Sequence, residues 1–500
     1  MNWQAVYPEI ALLAAACLVA LVDLWVKDRE RLVTYCLAQG SLFAIALIQL
    51  WYFFNGFPVD GSPTNAVTLY AMQRMVVADP MGQLLGLFAT LAMMVTLVYA
   101  RPYAAEREML KGELFSLSMF SLLGILVMVA ANNFLVVYLG LELMSLSLYA
   151  LVAMRRDSIP ATEAAMKYFV LGALASGFLL YGLSMMYGAT GSLEVAEVYK
   201  AIGTGQVNRA VLILGLVFVV AGLAFKLGAV PFHMWVPDVY QGAPTAATLL
   251  VGGAPKLAAF AISIRLLVEG MIGLAVDWQQ MLVLLSVGSM LLGNLAAMAQ
   301  SNIKRMLAYS TIAQIGFMLL GLCPGVVNSN TLSAVNAYSS AMFYVVVDVL
   351  TSLGTFGMIM LLSRAGHEAE LIDDFKGLAR RSPWFAGVMA VFMFSLAGIP
   401  PTVGFYAKLA VLQALVSTNV PGFIWLAVAA VVLSLLGAFY YVRVVKVMYF
   451  DEPSDSSAIV GSPDARIMLS LNGAAVLVLG ILPSGLMQMC AQAIVQMFAT

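Results

Sequence analysis

The sequence predicts an all-α polytopic membrane protein of about 14 transmembrane helices, and three observations carry that reading. First, 62% of the 500 residues are hydrophobic against 10% charged, with a mean hydropathy of +0.94, more apolar surface than a soluble core needs. Second, the apolar runs are about 20 residues long, which is the length that crosses a hydrocarbon core as a helix. They do not alternate apolar with polar residues, as barrel strands would. Third, the basic residues collect in alternate loops.

The first three spans are expected at 5–26, 33–54 and 79–100. The first holds an acidic Glu9 and no basic leading segment, which predicts a retained span and not a cleaved signal. Five more follow at 113–131, 133–154, 161–188, 210–240 and 245–270. The next five are placed at 278–299, 303–322, 335–363, 384–417 and 422–449, and the last at 466–489. The polar connections 55–78, 189–209, 364–383 and 450–465 are each too short for an aqueous domain. The chain therefore reads as one integral membrane domain over 1–500.

Charge sets the expected orientation. Lys27, Arg29, Arg31, Arg101, Arg107, Lys111, Arg155, Arg156, Lys304, Arg305, Arg364, Lys376, Arg380, Arg381, Arg443, Lys446 and Arg466 fall on one side, 17 in all. Arg74, Lys200 and Arg209 are the 3 on the other. The basic loops are expected to be cytoplasmic and both termini periplasmic, in a multi-pass bacterial inner-membrane protein.

Spans 7 and 12 are predicted to be broken. In AGLAFKLGAVPFHMWVPDVYQGAPTAATLLVGGAPKLAAF, from Ala221 to Phe260, Pro231 and Pro237 remove two backbone donors just after Lys226. In SLAGIPPTVGFYAKL, Gly398, Pro400, Pro401 and Gly404 interrupt an apolar helix just before Lys408. In hydrocarbon, broken backbone persists only where it is buried in protein or lines a wet cavity. Two breaks five spans apart make the repeat unit five helices. Five is odd, so the second copy is inverted, a layout typical of transporters. This divides the chain into three leading helices (1–112), a first repeat of helices 4–8 (113–270), a second of helices 9–13 (278–449) and a C-terminal helix (450–500).

Five ionisable residues fall well inside spans: Glu142 in the fifth, Lys167 in the sixth, Lys226 in the seventh, Lys256 in the eighth and Lys408 in the twelfth. Each costs about 2.5–3.5 kcal/mol at mid-membrane, so the five together approach about 12–18 kcal/mol. They persist only if they face the protein interior, pair and are hydrated. Burial disfavours the charged form of either residue type and brings proton exchange within reach, and a lysine can lose its proton where an arginine cannot. The row therefore reads as a lateral line of proton-exchanging groups. Structural ion pairing is the competing reading, with Glu142 neutralising one lysine.

Other polar residues carry weaker expectations. His233 either carries protons towards the cytoplasm or caps a helix. Asp348, beside Tyr344 and Thr351, is a further relay candidate. Tyr309, Ser310, Thr311 and Gln314 form a polar patch that either holds water or packs helices. Asp238, Asp23, Asp79 and Glu113 lie near span ends, where contact with water explains them. Cys17, Cys36, Cys323 and Cys490 are scattered, and His233 and His367 are far apart, so no metal or iron–sulfur site is expected. No phosphate-binding glycine motif is found. A redox centre, a cofactor site and a nucleic-acid partner are all unexpected.

FKLGAVPFHMWVPDVYQGAPT, GGAPKLAAF and NIKRMLAYSTIAQIGFMLLG resemble the antiporter-like membrane subunits of respiratory complex I, and nearly the whole chain takes part. Within that family the N-type branch is most similar. Lys408 argues against a branch with glutamate at that position, and the short stretch after span 14 against one with a long C-terminal arm. The resemblance implies fourteen helices with two inverted five-helix repeats. It also implies that Glu142 pairs with Lys226, that Lys256 bridges the halves, that Lys408 is the terminal group and that Lys167 is an additional member. The implied activity is proton translocation coupled to electron transfer from NADH to quinone, with FMN, iron–sulfur clusters and quinone in partner subunits. The implied partners are neighbouring membrane subunits and, through them, the hydrophilic NADH-oxidising arm. A cation/proton antiporter without NADH, or a non-pumping structural subunit, would use the same helices.

Overall fold

The computed structural model describes residues 2–58, 65–327, 330–364, 366–453, 459 and 461–499 and is almost wholly helical. Among the described residues, 13 helices are long and apolar enough to cross a membrane. Spans 1–6 are Trp3–Asp23, Leu32–Asn55, Pro80–Ala105, Gly112–Val129, Phe134–Val152 and Ile159–Thr190. Spans 7–11 are Arg209–Leu227, Thr245–Gly270, Ile272–Met298, Ile303–Gly325 and Ala334–Leu362; spans 13 and 14 are Pro421–Phe450 and Pro463–Ile481. Span 12 comes in two apolar pieces, Pro383–Ala397 and Val403–Val416, and completes the expected fourteen. Span 7 likewise continues, after a gap, as Trp235–Gly242.

The boundaries follow from capping chemistry. Asn133, Asn208 and Asn302 begin spans 5, 7 and 10, each accepting from backbone N–H groups of the first turn. Spans 8, 10 and 11 are almost completely buried and form the centre, whereas spans 1, 2, 13 and 14 lie at the periphery.

Three features depart from the expected pattern. Span 14 stops at Ile481, short of 489, and a separate helix Ser484–Phe498 follows. Pro483 separates the two, because it offers no backbone donor. Leu486, Cys490, Ala493, Ile494 and Met497 form its buried stripe, which packs on spans 3 and 11. The connections near 55–78 and 189–209 carry structure of their own. An antiparallel hairpin pairs Leu69–Ala71 with Val76–Ala78, so the fold is not purely helical. A short helix, Val195–Gly203, buries Val195, Val198 and Ile202. Span 8 is also segmented, into Thr245–Gly252, Pro255–Ser263 and a π-helical turn Ile264–Gly270.

Contacts between loops bear on the span count. On the basic face, Arg101 meets Glu30 at 3.4 Å, Arg107 and Arg155 both meet Glu368 at 2.6 and 3.8 Å, and Arg443 donates to Met298 O at 3.0 Å. On the opposite face Arg74 meets Glu194 at 3.0 Å, Val76 pairs with Ala131, and Gln279 donates to Cys323 O at 2.7 Å. Loops that the charge pattern put on one side do touch one another. A missed span would have separated these partners by the width of the membrane.

Asp79 corrects an expectation. It is not solvated at its span end but 1% exposed, and it grips Arg265, itself 2% exposed, through two bonds of 2.7 and 2.8 Å. Arg265 also donates to Glu269 at 2.8 Å and to Val129 O at 3.1 Å. Asp79 caps span 3 through Gly82 N at 2.9 Å. The start of span 3 and the ends of spans 4 and 8 converge on this one buried guanidinium. Arg265→Ala strands two carboxylates there and is expected to cost about 3–5 kcal/mol, read as a lowered thermal unfolding midpoint of the purified assembly in detergent.

Candidate functional site

Both breaks are built alike. Span 7 ends at Leu227 on Gly228, which is left-handed with φ +75°, and Ala229 N returns to Ala224 O at 2.8 Å. The first half of span 12 ends at Ala397 on Gly398, with φ +83°, and Ile399 N returns to Phe394 O at 2.9 Å. These are glycine-capped helix ends, which only a residue without Cβ adopts at little cost. Each leaves carbonyls inside the membrane that need donors.

The two ends find different donors. At the first, the Trp235 indole Nε1 donates to Phe225 O at 3.0 Å, and Val230 N donates to Ser289 Oγ at 2.9 Å. At the second, the Lys408 ammonium reaches back from Val403–Val416 to Leu396 O at 2.9 Å and Ala397 O at 3.2 Å. Its third donor goes to Ser434 Oγ at 2.9 Å, and the Phe317 ring lies 5.2 Å away. Three ammonium hydrogens meet three oxygens. The backbones close in here: a Cβ on Gly404 would lie 1.9 Å from Ser395 O.

Lys226, on the last turn before the first break, donates to Ser145 Oγ of span 5 at 2.9 Å. The direct bond from Glu142 to Lys226 that the resemblance implies is not made. Glu142 lies one turn before Ser145 on span 5, and its Oε1 is buried without a hydrogen-bond partner.

Lys256 begins the second segment of span 8, where Pro255 opens a new helical turn. Its ammonium bonds Asp348 Oδ2 of span 11 at 2.7 Å, with Thr311 and Ser352 hydroxyls at 3.5 and 3.4 Å. Both partners are about 95% buried, with side chains 6% and 5% exposed. Asp348, a secondary candidate in the sequence, is therefore the direct counter-charge of the central lysine. The imbalance of four lysines against one acid is smaller than the sequence indicated.

Two cavities flank this pair. One, about 20 Å³, is lined by Lys226, Tyr168, Trp235 and Pro255, the residue before Lys256. The other, about 10 Å³, is lined by Asp348, Tyr344, Gln314, Ser395 and Lys408. Gln314 is a junction that sequence reasoning placed only in a polar patch. Its amide donates to Leu396 O at 3.1 Å and to Tyr441 OH at 3.0 Å, and accepts from Tyr344 OH. Tyr441 also bonds Ser310 at 2.5 Å, and Tyr440 donates to Asn294 at 3.0 Å. The signal for these tyrosines was FYYVR, an aromatic pair beside an arginine near the end of an apolar helix.

Lys167 stands apart from the buried row. Its side chain is 42% exposed and pairs with Glu163 at 2.9 Å and Asp238 at 2.8 Å. Asp238 in turn holds Arg305 at 2.8 Å, so it bridges spans 6 and 10 instead of simply facing water. Lys167 sits only two turns from its helix start, within reach of the basic face. His233 is half-buried; its carbonyl accepts from Val236 N at 2.9 Å, while its ring Nδ1 is buried without a partner. Asp348→Ala leaves the Lys256 ammonium without its counter-charge and is expected to lower stability by about 3–5 kcal/mol, whereas Lys256→Met with Asp348→Leu recovers most of it. Thermal unfolding in detergent checks both.

The family model described as NADH:quinone oxidoreductase/Mrp antiporter, TM matches residues 131–437. The NADH-quinone oxidoreductase subunit N of Polaromonas naphthalenivorans is 62% identical over 99% of this chain and 97% of its own. That of Herminiimonas arsenicoxydans is 62% identical over 100% and 99%. Among solved structures, a chain of respiratory complex I from Thermus thermophilus is 27% identical, with a TM-score of 0.78 over 97% of this chain and 99% of that one. A chain of the Mrp complex from Dietzia sp., 21% identical, shares the fold with a TM-score of 0.81 over 99% of this chain and 97% of that one. With 62% identity along the whole chain and a family match that spans both breaks, the protein belongs to the NADH:quinone oxidoreductase/Mrp antiporter membrane family.

Proposed function

We propose that this chain is a proton-translocating membrane subunit of an NADH–quinone oxidoreductase, moving protons through buried lysines while electron transfer takes place in partner subunits. The observation that carries this reading is the full-length 62% identity to relatives named subunit N of that enzyme. The likeness to the Mrp chain, at 21% identity, concerns the fold alone. FMN, iron–sulfur clusters and quinone belong, in this reading, to the partners.

The relay is Glu142 and Lys226 at the first break, Lys256 with Asp348 at the centre, and Lys408 at the second break. Support comes from two small cavities, one lined by Lys226 and Pro255 and the other by Asp348 and Lys408, and from the Lys256–Asp348 bond. His233 and Lys167 lie on the basic side of Lys226 and serve proton supply. Residues 113–270 and 278–449 are read as inverted repeats, supported by the glycine-capped break that recurs in spans 7 and 12. Driving one charge against about 200 mV takes about 4.6 kcal/mol. Coupling must therefore change proton affinity along the row by about three to four pKa units in total. Breaking and re-forming bonds to buried ammonium groups is a change of that order.

Three outcomes test the proposal. The protein is expected to migrate, after gentle detergent extraction, within a very large NADH-oxidising assembly on a native gel; migration alone, with ion exchange and no NADH activity, would replace the reading with that of a stand-alone antiporter. Lys226→Ala is expected to abolish NADH-driven proton transport in inverted membrane vesicles while assembly and NADH–dye activity persist. The basic face is proposed to be cytoplasmic. Arg380→Cys should then react with a membrane-impermeant maleimide only in inverted vesicles, and Lys200→Cys only in right-side-out ones.

A further inference from the structure

We infer that Ser145 is a catalytic residue of proton translocation, its hydroxyl passing the proton between the Lys226 ammonium and the Glu142 carboxylate. The inference rests on the proposed function and adds to it the group through which the two charges communicate. Three observations carry it. Ser145 Oγ, at 2.9 Å, is the hydrogen-bond partner of Lys226, which forms no ion pair among the described residues. Ser145 is 1% exposed, so bulk water does not compete for the bond. Glu142 lies three residues earlier on the same helix, where side chains share a face, and its Oε1 is buried with no partner.

A hydroxyl suits this position because it both donates and accepts, so it serves either protonation state of the amine. In the forward step a Lys226 N–H bond breaks and its proton forms an O–H bond on Ser145 Oγ. The original Ser145 O–H bond breaks at the same time, and that proton bonds Glu142 Oε1 as the carboxylate turns towards it. The products are a neutral amine, an unchanged serine and a neutral carboxylic acid. No charge is left in the low-dielectric interior, and the reverse step restores both. The same pairing recurs at the second break, where Lys408 donates to Ser434 Oγ at 2.9 Å. Lys256, whose partner is already a carboxylate, touches hydroxyls only at 3.4 and 3.5 Å.

The test uses the assembled complex in inverted membrane vesicles, comparing Ser145→Ala with Ser145→Thr for NADH-driven proton transport and NADH–dye activity. Ser145→Ala is expected to lower proton transport about tenfold or more, as loss of a proton-transfer group does, with dye activity unchanged. Ser145→Thr, which keeps the hydroxyl, is expected to restore at least half. Undiminished transport by Ser145→Ala overturns the inference, and so does equal loss in both variants, because the hydroxyl would then not be what matters. Lys226→Ala measured in parallel separates this from the larger reading: undiminished transport there removes the proposed function itself, whatever the serine variants do.

Discussion

A helix broken inside hydrocarbon exposes carbonyls that water cannot reach, and everything around the two breaks answers that constraint. The chain meets it with two different donors. The Trp235 indole, which has no titrating proton at any working pH, caps Phe225 O at the first break. The Lys408 ammonium, which can lose one, caps Leu396 O and Ala397 O at the second. Lys226 owes nothing to its own helix end and bonds outward to span 5. Lys408 is held by the end it caps, where the partial negative charge of the helix terminus favours a cation.

Between them the centre is electrically neutral. Lys256 and Asp348 compensate one another in the most buried part of the protein, where either alone would be costly. The unbalanced charges are thereby confined to the two flanks, each beside one end of the central pair. A change in protonation on either flank alters the field at the Lys256–Asp348 bond, with little solvent to screen it. Gln314 adds a fixed element to this arrangement. Its donation to Leu396 O keeps that carbonyl satisfied whatever Lys408 does, which leaves Ala397 O as the carbonyl that Lys408 alone caps.

Much of this was legible in the sequence, and the parts that were not share a cause. The span order, the two breaks and the buried lysines came from one-dimensional signals: run length, proline and glycine placement, and charges inside apolar segments. The loop contacts on each face agree with the alternation of basic residues. What a single chain position does not reveal is which helix stands opposite. Asp348 looked minor because its partner lies 92 residues away. Asp79 looked solvated because nothing local announces that Arg265, 186 residues on, will enclose it. Lys167 looked buried by depth along its helix, yet the face it occupies is not enclosed by the rest of the chain. The helix Ser484–Phe498 was absorbed into span 14 because an apolar run hides a break that a single proline makes.

The same limit explains why a serine escaped notice. Ser145 sits in LELMSLSLYAL, where small polar residues are usual in packed membrane helices and mark nothing by themselves. Its meaning comes from the break in span 7. The Lys226 ammonium takes the side-chain oxygen that span 5 presents, while the indole and the Gly228 N–H both donate to Phe225 O. A carboxylate on that turn would bind the ammonium as a tight ion pair, which is hard to open in a low-dielectric interior. A hydroxyl holds it by a bond weak enough to exchange, with the carboxylate one turn away.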